Sequence, residues 1–366
     1  MKRLLALAAV VLMGPCAGLA LPVHPALAGE ATELADSFAA FDASHPGRGP
    51  DLGRPEIEDH AMAYALYGSA AAVTDRLAEA RVAGDWLAGH AKLGDGTGWG
   101  LTYAWDAFAD GSTNPVTTIY GITTALAVRS LLDVSEATGE DRYAKVAEAA
   151  LDTYATRQTA TANGLFFWYS DQPADAIEVH NVSSMLMGQY ARAGVRLKRP
   201  GFAKLADAAY RELLSARRTS SDEAYWSYSA QPHSRPNDLV HASYIVQGLL
   251  DYQRARGQEP RIGPELAYLT GFATAQCATE FNVALHKGAC AKPARLWGVG
   301  MAIATLADAG RGGDAARFAQ LLAPYRISAG HFGATPNARN FLPRAVSHVL
   351  FGLAQLNRAG ATPTAP

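Results

Sequence analysis

Apolar residues recur at helical spacing along most of this chain, in two kinds of segment that alternate. Segments of the first kind are apolar nearly all round and rich in Ala, Gly, Ser and Thr. A helix without a polar face must be buried on all sides. The pattern therefore predicts six inner helices, at residues 57–71, 115–134, 178–194, 238–256, 293–309 and 342–358.

Segments of the second kind are amphipathic, with Lys, Arg, Asp and Glu on one face, as expected of an outer layer. They predict outer helices at residues 31–43, 74–92, 141–158, 202–216, 262–278 and 312–325. Alternating inner and outer helices predict an all-α fold, a single (α/α)6 barrel of six helical hairpins over residues 29–360. A solenoid of hairpins is the alternative, but it needs polar capping repeats, and the segment from Phe341 to Arg358 is too apolar to be one.

The connections between these segments are of two lengths. Inner segments lead into outer ones through short turns such as Thr138-Gly139-Glu140-Asp141, where glycine fits the left-handed end of a helix. The opposite connections are longer and predict short aromatic β-segments on one rim of the barrel. Those aromatic runs lie at residues 98–103, 164–169, 225–228 and 330–332.

The N-terminus has the pattern of an export signal. Lys2 and Arg3 precede an apolar run, and Ala26-Leu27-Ala28 has the small-x-small form of a cleavage site. We therefore expect a cleaved signal peptide at residues 1–28 and a periplasmic or secreted protein without a stable membrane span. The Pro-rich residues 361–366 are expected to be a disordered tail.

Composition excludes some classes of partner and site. The net charge is −2, and −4 once Lys2 and Arg3 are removed, with no basic run that would bind nucleic acid. Cys277 and Cys290 remain after export and are expected to form a disulfide, with two free thiols as the alternative. No metal-ligand spacing or glycine-rich phosphate loop is present in the sequence, so we expect neither metal nor cofactor.

Aromatic residues of the long connections offer flat apolar surfaces that suit the C–H face of a sugar ring. A role in closing the hydrophobic core is the alternative for each of them. The aromatic residues that we predict to bind substrate are Trp99, Tyr103, Tyr120, Trp168, Trp226, Tyr228 and Trp297.

Polar residues gather at the predicted starts of the inner helices, where several long loops meet. Elimination next to a uronic acid requires neutralisation of the carboxylate, removal of the C5 proton and protonation of the leaving oxygen. His180 or His241, together with Tyr244, can move the protons. The residues expected to bind the substrate are Asn114, Asn181, Asn237, Arg295 and Asn340; Arg344 and His348 lie on the sixth inner helix without an assigned role.

Hydrolysis is the other mechanism that these residues allow, and it requires two carboxylic acids flanking the bond. Such residues also serve as simple helix caps, and spacing across different repeats does not decide between the two mechanisms. The candidate acids are Asp106, Asp110, Asp171, Asp175, Glu178 and Asp238.

The alternation of helices over almost the whole chain resembles the superfamily of six-hairpin glycosidases, toroid polysaccharide lyases and glucuronyl epimerases. The stretch from Gly98-Trp99 to Tyr120-Gly121, the turn from Thr138 to Tyr143, and Trp168-Tyr169 before His180-Asn181 are similar to the C-terminal domain of glucuronyl C5-epimerases. The resemblance implies a carbohydrate-active enzyme with a polysaccharide substrate.

Elimination on an acidic polysaccharide is favoured over hydrolysis because His, Asn, Tyr and Arg outnumber acids at the inner-helix starts. Epimerisation at C5 is the third enzymatic alternative. A polysaccharide-binding or export factor without catalysis is the alternative from another class.

Overall fold

The computed structural model describes residues 25–93, 95–232, 234–284 and 289–361. Within these ranges twelve α-helices follow one another, numbered here in chain order. The inner ones are α2 (Ala61–Val73), α4 (Gly121–Thr138), α6 (His180–Arg196), α8 (Leu239–Ala255), α10 (Leu296–Asp308) and α12 (Pro343–Ala361). The outer ones are α1 (Pro25–Ala39), α3 (Leu77–Gly89), α5 (Asp141–Tyr154), α7 (Pro200–Ser215), α9 (Gly263–Thr270) and α11 (Gly312–Gln320).

The inner helices form a closed ring. Each packs against the next along the chain, from α2 and α4 through to α10 and α12, and α12 also packs against α2. Each inner helix from α2 to α10 packs against the outer helix that follows it, while α1 packs against α12. The predicted (α/α)6 barrel is therefore confirmed, and the open solenoid is wrong because the last inner helix closes on the first.

Small residues allow the inner helices to approach each other closely. A Cβ atom on Gly248 of α8 would lie 2.2 Å from the carbonyl oxygen of Ser184 in α6. A Cβ atom on Gly300 of α10 would lie 2.4 Å from the carbonyl carbon of His348 in α12. Larger side chains at these positions would force the helices apart, which explains the Ala- and Gly-rich composition of the inner segments.

The two rims of the barrel differ as the sequence predicts. Inner helices lead into outer ones through short turns, in which Gly139 and Gly310 have the left-handed φ values of 73° and 74°. The opposite rim carries the long loops and five antiparallel hairpins. These are β1 (Arg48–Asp51) with β2 (Arg54–Asp59), β3 (Lys92–Leu93) with β4 (Gly96–Thr97), β5 (Gln158–Ala160) with β6 (Leu165–Phe167), β7 (Arg218–Ser220) with β8 (Glu223–Tyr225), and β9 (Arg326–Ser328) with β10 (His331–Phe332).

Several predicted helix boundaries differ from the structure, among them the following three. The first inner helix begins at Ala61 rather than residue 57, because residues 54–59 form strand β2, and the second begins at Gly121 rather than 115. The fifth outer helix ends at Thr270 rather than residue 278. The loop that follows it contains the predicted disulfide between Cys277 and Cys290, which the structure confirms. Closing a loop of this length stabilises a fold by about 3 kcal/mol in the chain-entropy model.

A buried network of charges lies at the rim of the short turns, around a cavity of about 800 Å³. At its centre is Arg129 of α4, whose Nη1 lies 2.5 Å from Asp251 Oδ2 and whose Nε lies 3.8 Å from Asp133 Oδ2. Asp308 of α10 lies 4.0 Å from Arg129 Nη2 and also pairs with Arg254 at 2.8 Å. Because these residues come from α4, α8 and α10, the network joins inner helices on different sides of the ring.

The predicted signal peptide and tail concern the ends of the chain. Residues 1–24 and 362–366 lie outside the described residues, so the predictions for 1–28 and 361–366 fall largely outside them. Among the described helices, none combines the length and the apolarity needed to cross a bilayer.

Candidate active site

A cavity of about 600 Å³ opens at the rim of the long loops, above the starts of the inner helices. Its volume lies in the range typical of small-molecule sites. Aromatic rings form much of its wall and pack against each other, with Tyr169 in contact with both Phe108 and Tyr120 at centroid distances of 5.0 and 5.8 Å. The aromatic residues of the wall are Tyr103, Trp105, Phe108, Tyr120, Tyr169, Tyr228, Tyr244 and Trp297.

Asp238 and His241 form a hydrogen-bonded pair at the start of α8. Asp238 caps the helix, accepting the backbone N–H of His241 at 3.2 Å. Its Oδ1 also lies 2.5 Å from His241 Nδ1. Since a carboxylate only accepts, Nδ1 carries the proton; when the ring is neutral, Nε2 is its acceptor nitrogen, and His241 lines the cavity.

Burial by itself would raise the pKa of Asp238. The opposing effects of His241, Arg295 and Arg235 are together stronger and hold the pKa of the carboxyl well below its usual range. The Asp238 carboxylate is therefore charged at neutral pH. It is 1% exposed, so its role is to orient and stabilise His241 rather than to meet a ligand directly.

Tyr244, one turn after His241 on the same face of α8, forms a second pair with His348 of α12. The Tyr244 hydroxyl lies 2.6 Å from His348 Nε2, while His348 Nδ1 lies 2.8 Å from the carbonyl oxygen of Arg344. Burial lowers the pKa of His348 to about 3, so its ring is neutral. Nδ1 then donates to the carbonyl, and Nε2 accepts from the Tyr244 hydroxyl.

Three arginines line the same cavity. Arg295 and Arg344 both lie over the ring of Trp297, with their guanidinium carbons 4.8 and 5.0 Å from its centroid. The third, Arg235, lies over the ring of Tyr228 at 4.7 Å. Guanidinium groups held against aromatic rings are well suited to binding a carboxylate.

Asp51 and Glu280, like Asp238, are carboxylates near the cavity that are bound to arginine. Asp51 of β1 pairs with Arg344 at 2.8 Å and accepts from Tyr103 Oη at 3.0 Å, while Glu280 pairs with Arg295 at 2.6 Å. Among the described residues that line the cavity, none is Asp or Glu. The titratable groups that face its interior are therefore imidazoles and phenols.

The structure brings together part of the predicted site. Tyr103 and Trp297 contribute to the wall, as described, and Asn181 lies at the start of α6 with its Oδ1 buried and without a hydrogen-bond partner. Their roles in binding stay predictions. The predicted residues that line the cavity are Tyr103, Tyr120, Asn181, Tyr228, His241, Tyr244, Arg295 and Trp297, and Asp238 supports them.

Other predicted binding residues support the fold around the cavity instead of lining it. Trp99 and Trp226 are buried in the core and donate to the carbonyls of Leu87 and Leu213. These two contacts match the alternative reading of the tryptophans as core residues. Of the remaining residues, Trp168 donates to Thr159, Asn114 to Asp175, and Asn237 to the carbonyls of Trp226 and Ser227, while Asn340 is exposed before α12.

The six acids that the sequence offers for hydrolysis do not line the cavity. Asp110 and Asp106 lie in an exposed part of the loop before α4, where Asp110 accepts from Ser112 and Asp106 from backbone N–H groups. Asp175 is buried and accepts from Asn114 and Ser170. Asp171 accepts from the backbone N–H of Ile119, and Asp238 is bound as described above.

The sixth acid, Glu178, lies beside His180 under the hairpins rather than in the cavity. Glu178 Oε1 and His180 Nε2 are 3.8 Å apart, and His180 Nδ1 lies 2.7 Å from the carbonyl oxygen of Ser227. Burial raises the pKa of Glu178 to about 7, with a smaller contribution from Glu212. Burial also lowers the pKa of His180. Burial therefore favours the uncharged form of both Glu178 and His180.

Replacing Glu178 with glutamine is expected to change how stability depends on pH. The folded pKa of about 7 lies above the ordinary value of 4.5, so between these pH values the folded protein holds a proton that the unfolded chain has lost. This group therefore makes the free energy of unfolding fall as pH rises through that window, and Glu178→Gln removes the fall. Urea denaturation of both proteins across the window measures the difference. The exposed Glu56→Gln is the control and should keep the wild-type profile; identical profiles for all three proteins would contradict the assignment.

Several residues that line the cavity are not predicted from the sequence to act in binding or catalysis. These are Trp105, Phe108, Tyr169, Arg235, Arg344 and His348. Two of them could have been identified by a sequence signal: Arg344 and His348 are polar residues four apart on an apolar helix, as Asp238 and His241 are three apart on another. The supporting carboxylate Asp51 has no such signal, because its partner Arg344 lies far away along the chain.

Comparison with known proteins shows which solved structures share this fold. No protein-family model matches the sequence, and no curated protein matches it. A cellobiose 2-epimerase from Spirochaeta thermophila is similar in structure, with a TM-score of 0.62 and 14% identity over 92% of this chain and 98% of that one.

Two glycoside hydrolases are similar to the same degree. A family 76 α-mannanase from Bacteroides thetaiotaomicron has a TM-score of 0.61 and 10% identity, over 90% of this chain and 95% of that one. A family 88 glycosyl hydrolase from Bacteroides vulgatus has a TM-score of 0.59 and 8% identity, over 91% and 99%. The chain thus shares its (α/α)6 fold with these enzymes, as its sequence resemblance predicts.

Proposed function

We propose that this protein is a carbohydrate-active enzyme that cleaves an acidic polysaccharide by β-elimination. One observation carries the proposal: the cavity is lined by His241, the Tyr244–His348 pair and three arginines, and by no carboxylate among the described residues. Proton-transfer groups and positive charges are what elimination next to a carboxylate requires. The structural neighbours, an epimerase and two glycoside hydrolases by name, support a saccharide as the substrate.

Arg295 and Arg344 have the position and charge to bind the uronate carboxylate. Neutralising that group makes the adjacent C5 proton more acidic, because the negative charge that develops as it leaves is stabilised. Each of these arginines keeps a carboxylate partner, Glu280 or Asp51, which fixes its guanidinium in place. The substrate would therefore meet a preorganised site.

His241 is the base in this mechanism. Its Nδ1 is engaged with Asp238, so Nε2 takes the C5 proton and Asp238 stabilises the resulting imidazolium. The electron pair of the C5–H bond forms a double bond between C4 and C5, and the C4–O bond breaks. Tyr244 gives up its hydrogen bond to His348 Nε2 and donates its hydroxyl proton to the leaving oxygen, which becomes the hydroxyl of a new chain end. After the products leave, the imidazolium of His241 releases its proton to solvent and the tyrosinate takes one up. The products are a new reducing end and an unsaturated uronate.

Epimerisation is a second candidate, and a specific observation favours it. The cavity holds two separate proton-transfer groups, His241 and Tyr244, which allows a proton to be removed by one and returned by the other. The structural likeness to a cellobiose 2-epimerase is in keeping with such chemistry. In that case the C4–O bond stays intact and only the configuration of the carbon changes.

We also propose that the protein acts outside the cytoplasm. The motivation is the leader-like sequence before Gly29 and the disulfide between Cys277 and Cys290, which suits an oxidising compartment. Detection of the mature N-terminus in a periplasmic or secreted fraction would support the proposal, whereas a full-length cytoplasmic protein would contradict it.

A panel of acidic and neutral polysaccharides tests the reaction. We expect a uronate polymer to give ultraviolet absorbance from new double bonds and reducing ends in equal amounts, while neutral polymers give neither. Reducing ends without absorbance would establish hydrolysis and contradict elimination. When neither signal rises, the same mixtures in deuterated water distinguish the remaining alternatives: deuterium incorporated at a sugar carbon establishes epimerisation, and its absence favours a binding protein.

A further inference from the structure

A second groove of about 610 Å³ adjoins the active-site cavity on the same rim. Leu101 lines both of them, so little more than one stretch of chain separates the two spaces. The hairpin β1–β2 contributes to both as well, with Leu52 at the cavity and Ile57 at the groove. The loop before α4 does the same, with Trp105 at the cavity and Val116 at the groove.

Exposed apolar side chains are concentrated around these two spaces. Six large apolar side chains of the described residues are exposed, and four of them are Leu52, Trp105, Ile57 and Val116. Ile57 and Val116 are 57% and 49% exposed in the groove. Clustering of exposed apolar groups beside a polar rim is typical of a binding surface. The groove therefore has the surface character of a continuation of the active site.

The remaining lining of the groove suits a sugar. The ring of His90 lies 4.2 Å from Trp86, which in turn stacks on the buried Tyr64 at 3.9 Å, so His90 is the exposed end of a fixed aromatic stack. Arg48 and Lys92 lie around it as hydrogen-bond donors, and Glu58 and Asp59 as acceptors, with Arg48 paired to Asp59 at 2.9 Å. A pyranose presents an apolar C–H face and a ring of hydroxyls, which this mixture of apolar and polar groups complements.

We propose that this groove is an accessory subsite, which holds further sugar units of the saccharide whose reacting unit occupies the cavity. The proposal rests on the proposed function for the nature of the ligand. It implies that affinity grows with chain length, because only a longer saccharide reaches across Leu101 into the groove. A disaccharide fills the cavity alone and gains nothing from Ile57 or Val116.

The test compares disaccharides and hexasaccharides prepared from polygalacturonate, alginate, hyaluronan and mannan. Calorimetry is done on a His241→Asn background, in which the saccharide is not consumed. The double variant Ile57→Ser/Val116→Ser is expected to weaken hexasaccharide binding by about tenfold and to leave disaccharide binding within about twofold. A control double variant, Val195→Ser/Leu214→Ser, removes the two exposed apolar side chains that lie elsewhere and should change neither affinity.

Hydrogen exchange locates the effect. In the His241→Asn background, we expect hexasaccharide, but not disaccharide, to protect the backbone of residues 86–92 and 96–102. Equal affinities for both lengths, or equal losses in the double variant, would overturn the subsite even if a uronate polymer is cleaved. Length-dependent binding at the groove without any reaction would instead overturn the proposed function and leave the subsite standing. Failure of every saccharide to bind would overturn both.

Discussion

Replacing His241 with asparagine is expected to lower kcat by about 10³-fold, with a much smaller effect on KM. The reason is that the imidazole of His241, which lines the cavity, is the base in the proposed mechanism, while the arginines proposed to bind the substrate remain in place. Asparagine keeps a polar side chain of similar size beside Asp238, so the fold should be retained. Initial rates of ultraviolet absorbance on the uronate polymer that the panel identifies give both constants.

His331→Asn is the matched control, since His331 lies on the same rim in strand β10 but outside the cavity. We expect wild-type kinetics from it. A second variant, Asp238→Asn, should also lose activity, because an amide no longer fixes the Nδ1–H tautomer of His241. If His241→Asn retained wild-type kcat, the base would have to be another group, and the mechanism above would be wrong.

Replacing Arg129 with methionine is expected to lower the free energy of unfolding by about 3 kcal/mol, the usual effect of removing one partner from a buried ion pair. Arg129 is 5% exposed and lies between Asp133, Asp251 and Asp308. Without it, Asp251 loses its arginine partner and keeps only hydrogen bonds from Gln189 and Gln247. Urea denaturation followed by circular dichroism measures the loss.

Arg311→Met is the control for that measurement. Arg311 pairs with Asp314 at 2.5 Å, but its side chain is 46% exposed, and exposed pairs contribute about 0–1 kcal/mol. A loss for Arg129→Met as small as that of the control would show that the network adds nothing to stability. Because the network lies at the end of the barrel away from the active-site cavity, folded Arg129→Met should retain wild-type kcat.

Most of the fold could be predicted from the sequence because one physical signal repeats in it. A helix in the inner ring has no polar face, and a helix in the outer ring has one, so residue patterns alone distinguish the layers. At one of the boundaries that differ, another interaction competes with the helix. Residues 54–59 pair as a strand with residues 48–51, and no helical period in that segment excludes such pairing.

Less of the site could be predicted, because its parts meet only in three dimensions. Asp238 and His241 are close along one helix, so their spacing already indicates a contact. In contrast, Tyr244 meets His348 across 104 residues of chain and Arg344 meets Asp51 across 293. The sequence also cannot distinguish tryptophans that close the core, such as Trp99, from Trp297, which lines the cavity and has two arginines over its ring.

Closure of the ring by α12 has a consequence for biosynthesis. A ribosome makes the chain from its N-terminus, so α2 has no partner on one flank until residues 343–361 have emerged. During that interval the apolar flanks of α2 and α10 face solvent, and contacts spanning most of the chain form last and slowly. A nascent or prematurely terminated chain thus exposes an apolar surface on α2 and α10, of the kind that chaperones and proteases recognise. This surface is covered only when α12 has been made and has packed between the two helices.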